Sequence, residues 1–305
     1  MVKRNKEFWL IILSFFILYI VWGSTYLANA WGVKSVPPFM FASARFLIAG
    51  ITLLGISRLF GPIQITKQQL KNTAFAGIFL FTVGNGMIVW SLQYIDSGIA
   101  ALFVSFEPLI VAVMLWQMKN EKPKRDTSIG IGLGIIGMLL LVGQPHFVTS
   151  TSFLLGTLAI VAALLAWGYI AIWMPNADLP KSIMQSAAFQ MIIGGIGLLI
   201  LSALAGEAKD LHIENLNTTA FWCFAYLVVF GSIFAFSAFN FLLQTVSPTK
   251  VVTSAYVNPV VALILGWWLN NEKLSTQSLL ATIALLTGVV FITLAKSRKR
   301  KKVTV

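Results

Sequence analysis

The chain has 305 residues, of which 58% are hydrophobic and 10% are charged, and its mean hydropathy is +0.85. Soluble globular domains carry about 25% charged residues, so these charges are too few to cover a water-facing surface, and lipid must be the solvent. The formal net charge of +12 does not indicate a nucleic-acid partner, because the basic residues lie at the termini and in short loops between apolar runs.

Ten apolar runs, each close to the roughly 20 residues that a bilayer requires, predict ten transmembrane helices. In chain order the predicted spans are 8–31, 38–59, 72–92, 97–118, 127–144, 153–174, 183–205, 219–243, 249–269 and 276–295. The connections are short, and the longest, around 206–218, is polar and acidic. The predicted fold class is therefore an all-α integral membrane protein with the lipid bilayer as its partner.

The distribution of Lys and Arg predicts the orientation of these helices. With the N-terminus in the cytoplasm, 18 of the 22 Lys and Arg residues lie in cytoplasmic segments, three lie in outer loops, and Arg45 lies within a span. Positive residues accumulate on the cytoplasmic side of a membrane protein. Both termini are therefore predicted to be cytoplasmic in the plasma membrane.

Two stretches of the chain, 107–122 and 258–273, share the same order of residues. Each has an acid or amide followed by proline, then a tryptophan, and then Asn-Glu-Lys, and corresponding residues lie 151 positions apart with no gap. Gly137 and Gly288 continue the register. A repeat of this length means that the chain consists of two copies of one unit.

Each copy contains five predicted spans, an odd number, so the second copy must enter the membrane from the opposite face. We predict two inverted five-helix repeats around a central cavity, the first at 1–148 and the second, with a basic cytoplasmic tail, at 149–305. Inverted repeats of this kind are the architecture of many secondary transporters, whose sites lie between the halves.

Only Arg45 and Glu107 place an ionisable side chain deep in an apolar span, and such residues usually mark a substrate or ion path. Glu107 precedes Pro108, which removes a helical hydrogen bond and so predicts a kink. Beside this kink the Glu107 carboxylate can bind a cation or exchange a proton. Alternatively, Glu107 simply forms a hydrogen bond to a neighbouring helix. Its repeat counterpart, Asn258 before the second predicted kink at Pro259, cannot titrate. Arg45 can hold an anionic group of a substrate, or lock helices by pairing with Glu107 or with carbonyl groups.

Further polar and aromatic residues are weaker candidates for the wall of a pathway. Trp22 in the first span is echoed by Trp167 in the sixth, each followed by glycine, and these residues are either gates on opposite faces or parts of the interfacial aromatic belt. The other candidates, each also compatible with simple interhelical hydrogen bonding, are Ser24, Tyr26, Asn85, Trp90, Gln93, Tyr169, Asn240, Gln244 and Tyr256.

Several kinds of site have no sequence signature here. There is no phosphate-binding Walker loop, His146 and His212 lie in outer loops without metal-ligand spacing, and Cys223 is a lone cysteine in an apolar run. We therefore expect no enzyme activity, no metal and no cofactor.

The chain resembles the ten-helix drug/metabolite transporter superfamily, and more narrowly its EamA-type exporters. The resemblance rests on Trp22-Gly23-Ser24, Ala44-Arg45-Phe46, the Glu107-Pro108 helix and the Asn-Glu-Lys ends followed by a glycine-rich span, and it covers essentially the whole chain. It implies export of a small molecule, such as an amino acid, a related metabolite or a drug, by alternating access, with proton coupling as one option. The sequence departs from the pattern at Asn258, where many copies have Glu, and at Tyr169.

Alternative interpretations are an importer of an amino-acid-like or nucleoside-like solute with the same fold and, in a different class, a passive channel or lipid scramblase. The sequence does not identify the substrate, the coupling ion or the oligomeric state.

Overall fold

A computed structural model describes the backbone of residues 2–120, 122–123, 125–142, 151–212, 214, 216–246, 251 and 254–301. Within these ranges it describes the side chains of all residues except 2–6, 119, 141–142, 240, 243–244, 255–256 and 292–301. The described part of the chain is helical, with short connections and no strand.

Ten helices, numbered here α1 to α10, follow one another in the order that the sequence predicts. They are α1 (Val2–Phe16 and Trp22–Gly32, joined by a π-helical turn at Ile17–Val21), α2 (Pro38–Leu59), α3 (Lys67–Gly77 and Gly86–Ser91, joined by π-helix at Ile78–Asn85), α4 (Ser97–Val104 and Glu107–Lys119), α5 (Arg125–Val142), α6 (Thr151–Trp173), α7 (Ile183–Ala205), α8 (Thr218–Tyr226 and Ala235–Thr245, joined by π-helix at Leu227–Phe234), α9 (Ser254–Asn270) and α10 (Thr276–Lys301). Among the described residues, α1–α4 and α6–α8 are long and apolar enough to cross a bilayer, and α9 and α10 contribute shorter apolar stretches.

Local sequence explains where several of these helices begin and end. Thr66 and Gln69 form a reciprocal capping box at the start of α3, and Asn217 caps α8 by accepting a hydrogen bond from the Ala220 backbone N–H. Gly206 ends α7 with a φ of 74°, a left-handed conformation that glycine adopts without steric penalty.

The packing of the helices shows the two-fold symmetry of the repeats. Three pairs of corresponding helices pack against each other across the boundary between the halves: α2 with α7, α4 with α9, and α5 with α10. Most of the remaining contacts between halves come in matched sets. The contact of α3 with α6 corresponds to that of α8 with α1, α3 with α7 corresponds to α8 with α2, and α4 with α6 corresponds to α9 with α1. The contact of α4 with α10 lies outside these sets. The halves are thus interlocked rather than placed side by side.

Glycines at the helix crossings follow the same symmetry. A Cβ added at Gly50 would lie 2.8 Å from a side-chain atom of Ile192, and one added at Gly195 would lie 2.9 Å from Leu47. Both glycines and both partners are 145 residues apart, so each contact is the symmetry image of the other. Only glycine permits backbones to approach this closely.

Two further pairs of glycines repeat this relation. Gly23 lies against Val261 and Gly168 against Ile110, while Gly137 lies against Leu285 and Gly288 against the backbone N of Gly134. Corresponding residues are 145 positions apart in the first two helices of each repeat and 151 positions apart in the last two. The difference arises because the α7–α8 connection of the second copy is longer than the corresponding α2–α3 connection of the first.

Candidate functional site

A polar cluster around Arg45 lies where α1, α2 and α8 meet. The guanidinium is buried, with 5% of the residue exposed, and donates from Nε to Ser232 Oγ at 3.1 Å and from Nη1 to Asn29 Oδ1 at 3.3 Å. It also lies over the ring of Phe46, 4.8 Å from the ring centroid. Arg45 therefore links α2 of the first half to α8 of the second through neutral acceptors.

A second polar pair joins two of these helices, α1 and α8. The hydroxyl groups of Ser24 and Tyr226 are 2.6 Å apart, and Ser24 also donates to the carbonyl of Val21. The next residue, Thr25, contacts the Arg45 cluster because its carbonyl accepts a hydrogen bond from Asn29 Nδ2 at 2.7 Å. Ser24 was predicted from the sequence, whereas Asn29, Tyr226 and Ser232 were not, because isolated polar residues in spans carry no distinguishing pattern.

The π-helical segments supply backbone carbonyls that accept hydrogen bonds from the other half. A π-turn displaces the regular i→i−4 bonds, and such turns occur frequently at functional sites. In α3 the Leu80 carbonyl accepts from Trp167 Nε1 at 2.9 Å and from Asn85 Nδ2 at 3.0 Å. In α1, with its amide oriented to donate, Asn258 bonds to the carbonyls of Leu18 and Tyr19, each at 3.1 Å. Trp167 and Asn258 thus form hydrogen bonds from the second half of the molecule to the first.

Glu107 begins the second segment of α4. The helix is interrupted at Ser105–Phe106, directly before Glu107, and Pro108 occupies the first turn of the segment that follows. A carboxylate is favoured at such a position by the positive end of the helix dipole. The half-buried Glu107 lies within electrostatic range of Tyr26. In α9, by contrast, Pro259 lies inside a continuous helix.

The remaining predicted residues are dispersed. Trp22 packs against Phe239, with ring centroids 5.4 Å apart, and Tyr169 packs against Phe75 and Phe79 of α3. Trp90 and Gln93 lie together at the end of α3, where the exposed Gln93 donates to the Trp90 carbonyl. The side chains of three further candidates lie outside the described residues: Asn240, Gln244 and Tyr256.

The predicted outer face is closed by a seam of hydrogen bonds between the halves, which we call the outer seam. Glu272, with 8% of the residue exposed, accepts from the backbone N of Ser97 and of Gly98, each at 3.0 Å, and from Ser97 Oγ at 2.6 Å. Glu207, with 6% exposed, accepts from the backbone N of two residues that begin α2, Phe39 and Met40. Two buried carboxylates of the second half therefore cap two helices of the first half.

Neutral and basic side chains continue the outer seam. Asn270 accepts hydrogen bonds from Trp31 Nε1 at 2.9 Å and from Lys34 Nζ at 3.2 Å, and its Nδ2 donates to Glu272. Partial burial and the neighbouring Glu272 carboxylate raise the pKa of Asp96, and the nearby Lys34 opposes this shift. At the predicted cytoplasmic face, Gln69 Nε2 donates to Asp178 at 3.0 Å. The buried Gln185 of α7 also bonds to the α2–α3 connection, donating from Nε2 to the Pro62 carbonyl at 3.0 Å and accepting from the backbone N of Gln64 at 3.4 Å.

The outer seam explains the Asn-Glu-Lys ends that mark the repeat. Asn120 and Asn271 have φ values of 56° and 54°, and they are the non-glycine residues with positive φ in the described chain. Asn tolerates this left-handed conformation, which ends the helix. At the second copy the turn then directs Glu272 against Gly266, where an added Cβ would lie within contact distance of the carboxylate. Glu121, the counterpart in the first copy, lies outside the described residues.

A cavity of about 580 Å³ lies next to the outer seam, between α2 and α8. Its walls are almost entirely apolar and include Met40, Phe41, Phe221 and Phe224. Ala44, the residue before Arg45, also lines the cavity. The cavity is thus bounded by both halves.

Helices that cross a bilayer, two interlocked repeats and buried polar groups between them define a polytopic membrane protein of the transporter class. Comparison with known proteins agrees, because the profile of the EamA-like transporter family matches residues 9–143 and again residues 154–294. The chain belongs to the EamA-like transporter family.

Similar proteins extend over nearly the whole chain. It is 36% identical to the uncharacterized inner membrane transporter YedA of Escherichia coli K12, over 93% of this chain and 90% of YedA. It is 23% identical to the uncharacterized transporter YoaV of Bacillus subtilis 168, over 95% of this chain and 99% of YoaV. A solved crystal structure with 16% identity superposes with a TM-score of 0.63, covering 94% of this chain and 98% of that one, and shows the fold alone.

Proposed function

We propose that this protein is a secondary carrier that exports a small metabolite, such as an amino acid, a related metabolite or a drug, across the plasma membrane by alternating access. The observation that carries the proposal is the outer seam. Its hydrogen bonds at Glu272, Glu207 and Asn217 all join one half of the molecule to the other. A seam of this kind opens when the halves move relative to each other, as alternating access requires.

The symmetry of the helix contacts supports the same mechanism. Exchanging the roles of two equivalent halves converts a state closed on one face into a state closed on the other. The glycine crossings provide close contacts along which helices can shift, and the outer seam contains two buried carboxylates, each bound to backbone N–H groups at the start of a helix of the other half. We infer that the described conformation is closed toward the outside.

Export is the direction implied by the family resemblance, and the inner-membrane location of YedA supports a plasma-membrane location for this chain. The excess of Lys and Arg in alternate loops supports cytoplasmic termini. Glu107 is the proposed site of proton or cation coupling, because its carboxylate lies at an interruption of a membrane helix between the halves.

A metabolite and toxic-analogue screen tests the proposal. Cells that overproduce the protein should resist the analogue of its substrate and hold less of it, and cells lacking the protein should be more sensitive. Purified protein in liposomes should then show saturable flux and counterflow of that substrate. Sensitivity on overproduction would indicate an importer, and non-saturable flux without counterflow would indicate a channel or scramblase.

A further inference from the structure

Arg45 is a buried positive charge without a negative partner in the described part of the chain. Its two hydrogen-bond acceptors, Ser232 Oγ and Asn29 Oδ1, are neutral, and its Nη2 has no acceptor among the described residues. A buried charge is costly unless it is paired, so charged residues inside membrane proteins usually face a partner or a cavity. The side chain is thus held in place by two bonds while part of its planar fork remains available.

The residue that faces this available part of the guanidinium is a glycine, so no side chain lies between the backbone of α8 and Nη2. Gly231 lies in the π-helical segment of α8, and a Cβ added there would lie 3.3 Å from Arg45 Nη2 and 3.0 Å from Thr25 Cγ2. Any side chain at this position would therefore occupy the approach to Nη2. Because a π-turn also displaces the backbone bonds of α8 at this point, the site is built from an irregular segment facing a buried charge.

The repeat shows that the charge is not required by the architecture. In the register of 145 residues set by Gly50 and Gly195, the counterpart of Arg45 is Gln190. Gln190 is equally buried and bonds within its own helix, from Nε2 to Ser186 Oγ at 3.1 Å. Glu107 has a neutral amide, Asn258, as its own counterpart. Arg45 and Glu107, the charged residues that lie deep in apolar spans, are therefore both in the first half, and each is matched by an amide in the second.

We propose that Arg45, with Gly231 beside its Nη2, is the anion-binding group of the transport site, so that the transported solute carries a carboxylate. The guanidinium fork matches the geometry of a carboxylate, and Ser24, Tyr226 and Asn29 supply further hydrogen-bonding groups on the adjoining helices. This inference rests on the proposed carrier function and assigns the chemical class of its substrate.

The test compares acids with their amides. Purified protein in phosphatidylcholine liposomes is assayed for counterflow, and in detergent for thermal stabilisation, with a panel of amino acids and simple carboxylic acids and with the carboxamide of each. We expect at least one acid to be transported with an apparent affinity at least about ten-fold above that of its amide, since a hydrogen-bonded charge pair contributes this much or more.

Three variants identify the group responsible. Arg45→Gln, which copies the second half, should remove the preference for the acid, with an affinity loss of about ten- to a hundred-fold. Gly231→Ala retains the charge and should weaken acid binding by obstructing Nη2. Gly55→Ala is the matched control, because an added Cβ there meets no atom within 4 Å, and it should behave as the parent does.

Several outcomes would overturn the proposal. The first is that folded Arg45→Gln still prefers acids to their amides. The second is that Gly231→Ala binds acids as well as Gly55→Ala does. The third is that the protein transports only solutes without a carboxylate. If anionic lipid in the liposomes abolishes the preference, a lipid headgroup rather than the solute occupies the site. Counterflow of any other solute would leave the carrier function intact, whereas flux without saturation would contradict that function itself.

Discussion

Replacing Glu272 by glutamine should open the outer seam. The carboxylate accepts three hydrogen bonds at the start of α4, from Ser97 N, Ser97 Oγ and Gly98 N, all in a buried position. Glutamine has nearly the same shape but no charge, and its NH2 group cannot accept. One of the α4 donors is then left facing another donor, and the favourable interaction with the positive end of the helix is lost.

The size of the effect follows from these contacts. A hydrogen bond to a charged group contributes about 1.5–3 kcal/mol, and a carboxylate at a helix N-terminus contributes about 0.3–1 kcal/mol. Allowing for partial rearrangement of the amide, we expect the closed seam to weaken by about 2 kcal/mol, which multiplies the open population by roughly 30.

A cysteine beneath the seam can report this population. Ala30 is buried, with 6% exposed, in the core where α1 meets α4 and α9, and Cys223→Ser removes the single native cysteine. With Ala30→Cys in that background, labelling by a membrane-impermeant maleimide added outside intact cells should be slow. If closing is faster than labelling, Glu272→Gln should raise the labelling rate by roughly 30-fold.

The matched control is Glu214→Gln, the same substitution on an exposed residue of the α7–α8 connection, where Glu214 pairs with exposed His212. It should leave the labelling rate unchanged. Equal rates for Glu272→Gln and the parent, or an equal increase for both substitutions, would refute the assignment of Glu272 to the seam.

The remaining predictions concern pH, coupling and orientation. Partial burial and Glu272 raise the pKa of Asp96, so the ionised form of Asp96 is disfavoured in the closed seam. The closed seam should therefore strengthen as pH falls through that pKa and weaken as pH rises above it. With the same labelling reporter, Asp96→Asn should slow labelling at neutral pH and flatten the pH profile, and an unchanged profile would disprove this. Glu107→Asn reproduces the amide of the second half, which cannot ionise. This variant should lose gradient-driven transport in proteoliposomes while preserving exchange. Full gradient-driven transport by the variant would remove Glu107 from the coupling mechanism. In a cysteine-free background, impermeant reagent should label a cysteine at Asp210 from outside and leave one at Ser297 unlabelled, and the opposite pattern would reverse the predicted topology.

The helices and the duplication could be predicted because their causes are local or periodic. A run of about 20 apolar residues suffices to indicate a span, and a gap-free register such as that joining Trp116 to Trp267 reveals a repeat whatever the fold. The Asn-Glu-Lys motif was recognised only as a marker of that register. Its role in ending a helix and seating Glu272 depends on a partner 175 residues away, which no local pattern indicates.

The same distinction applies to the candidate site. Sequence alone singled out Arg45 and Glu107, because a charge in an apolar span is costly wherever it points. It did not determine their surroundings, since the helices that approach Arg45 depend on the packing of α1, α2 and α8. That packing supplies Ser232 and Asn29 as neutral partners and places Gly231, which has no side chain, against the guanidinium. The outer seam likewise exists only in the folded chain, because it requires carboxylates of one half to reach the helix ends of the other.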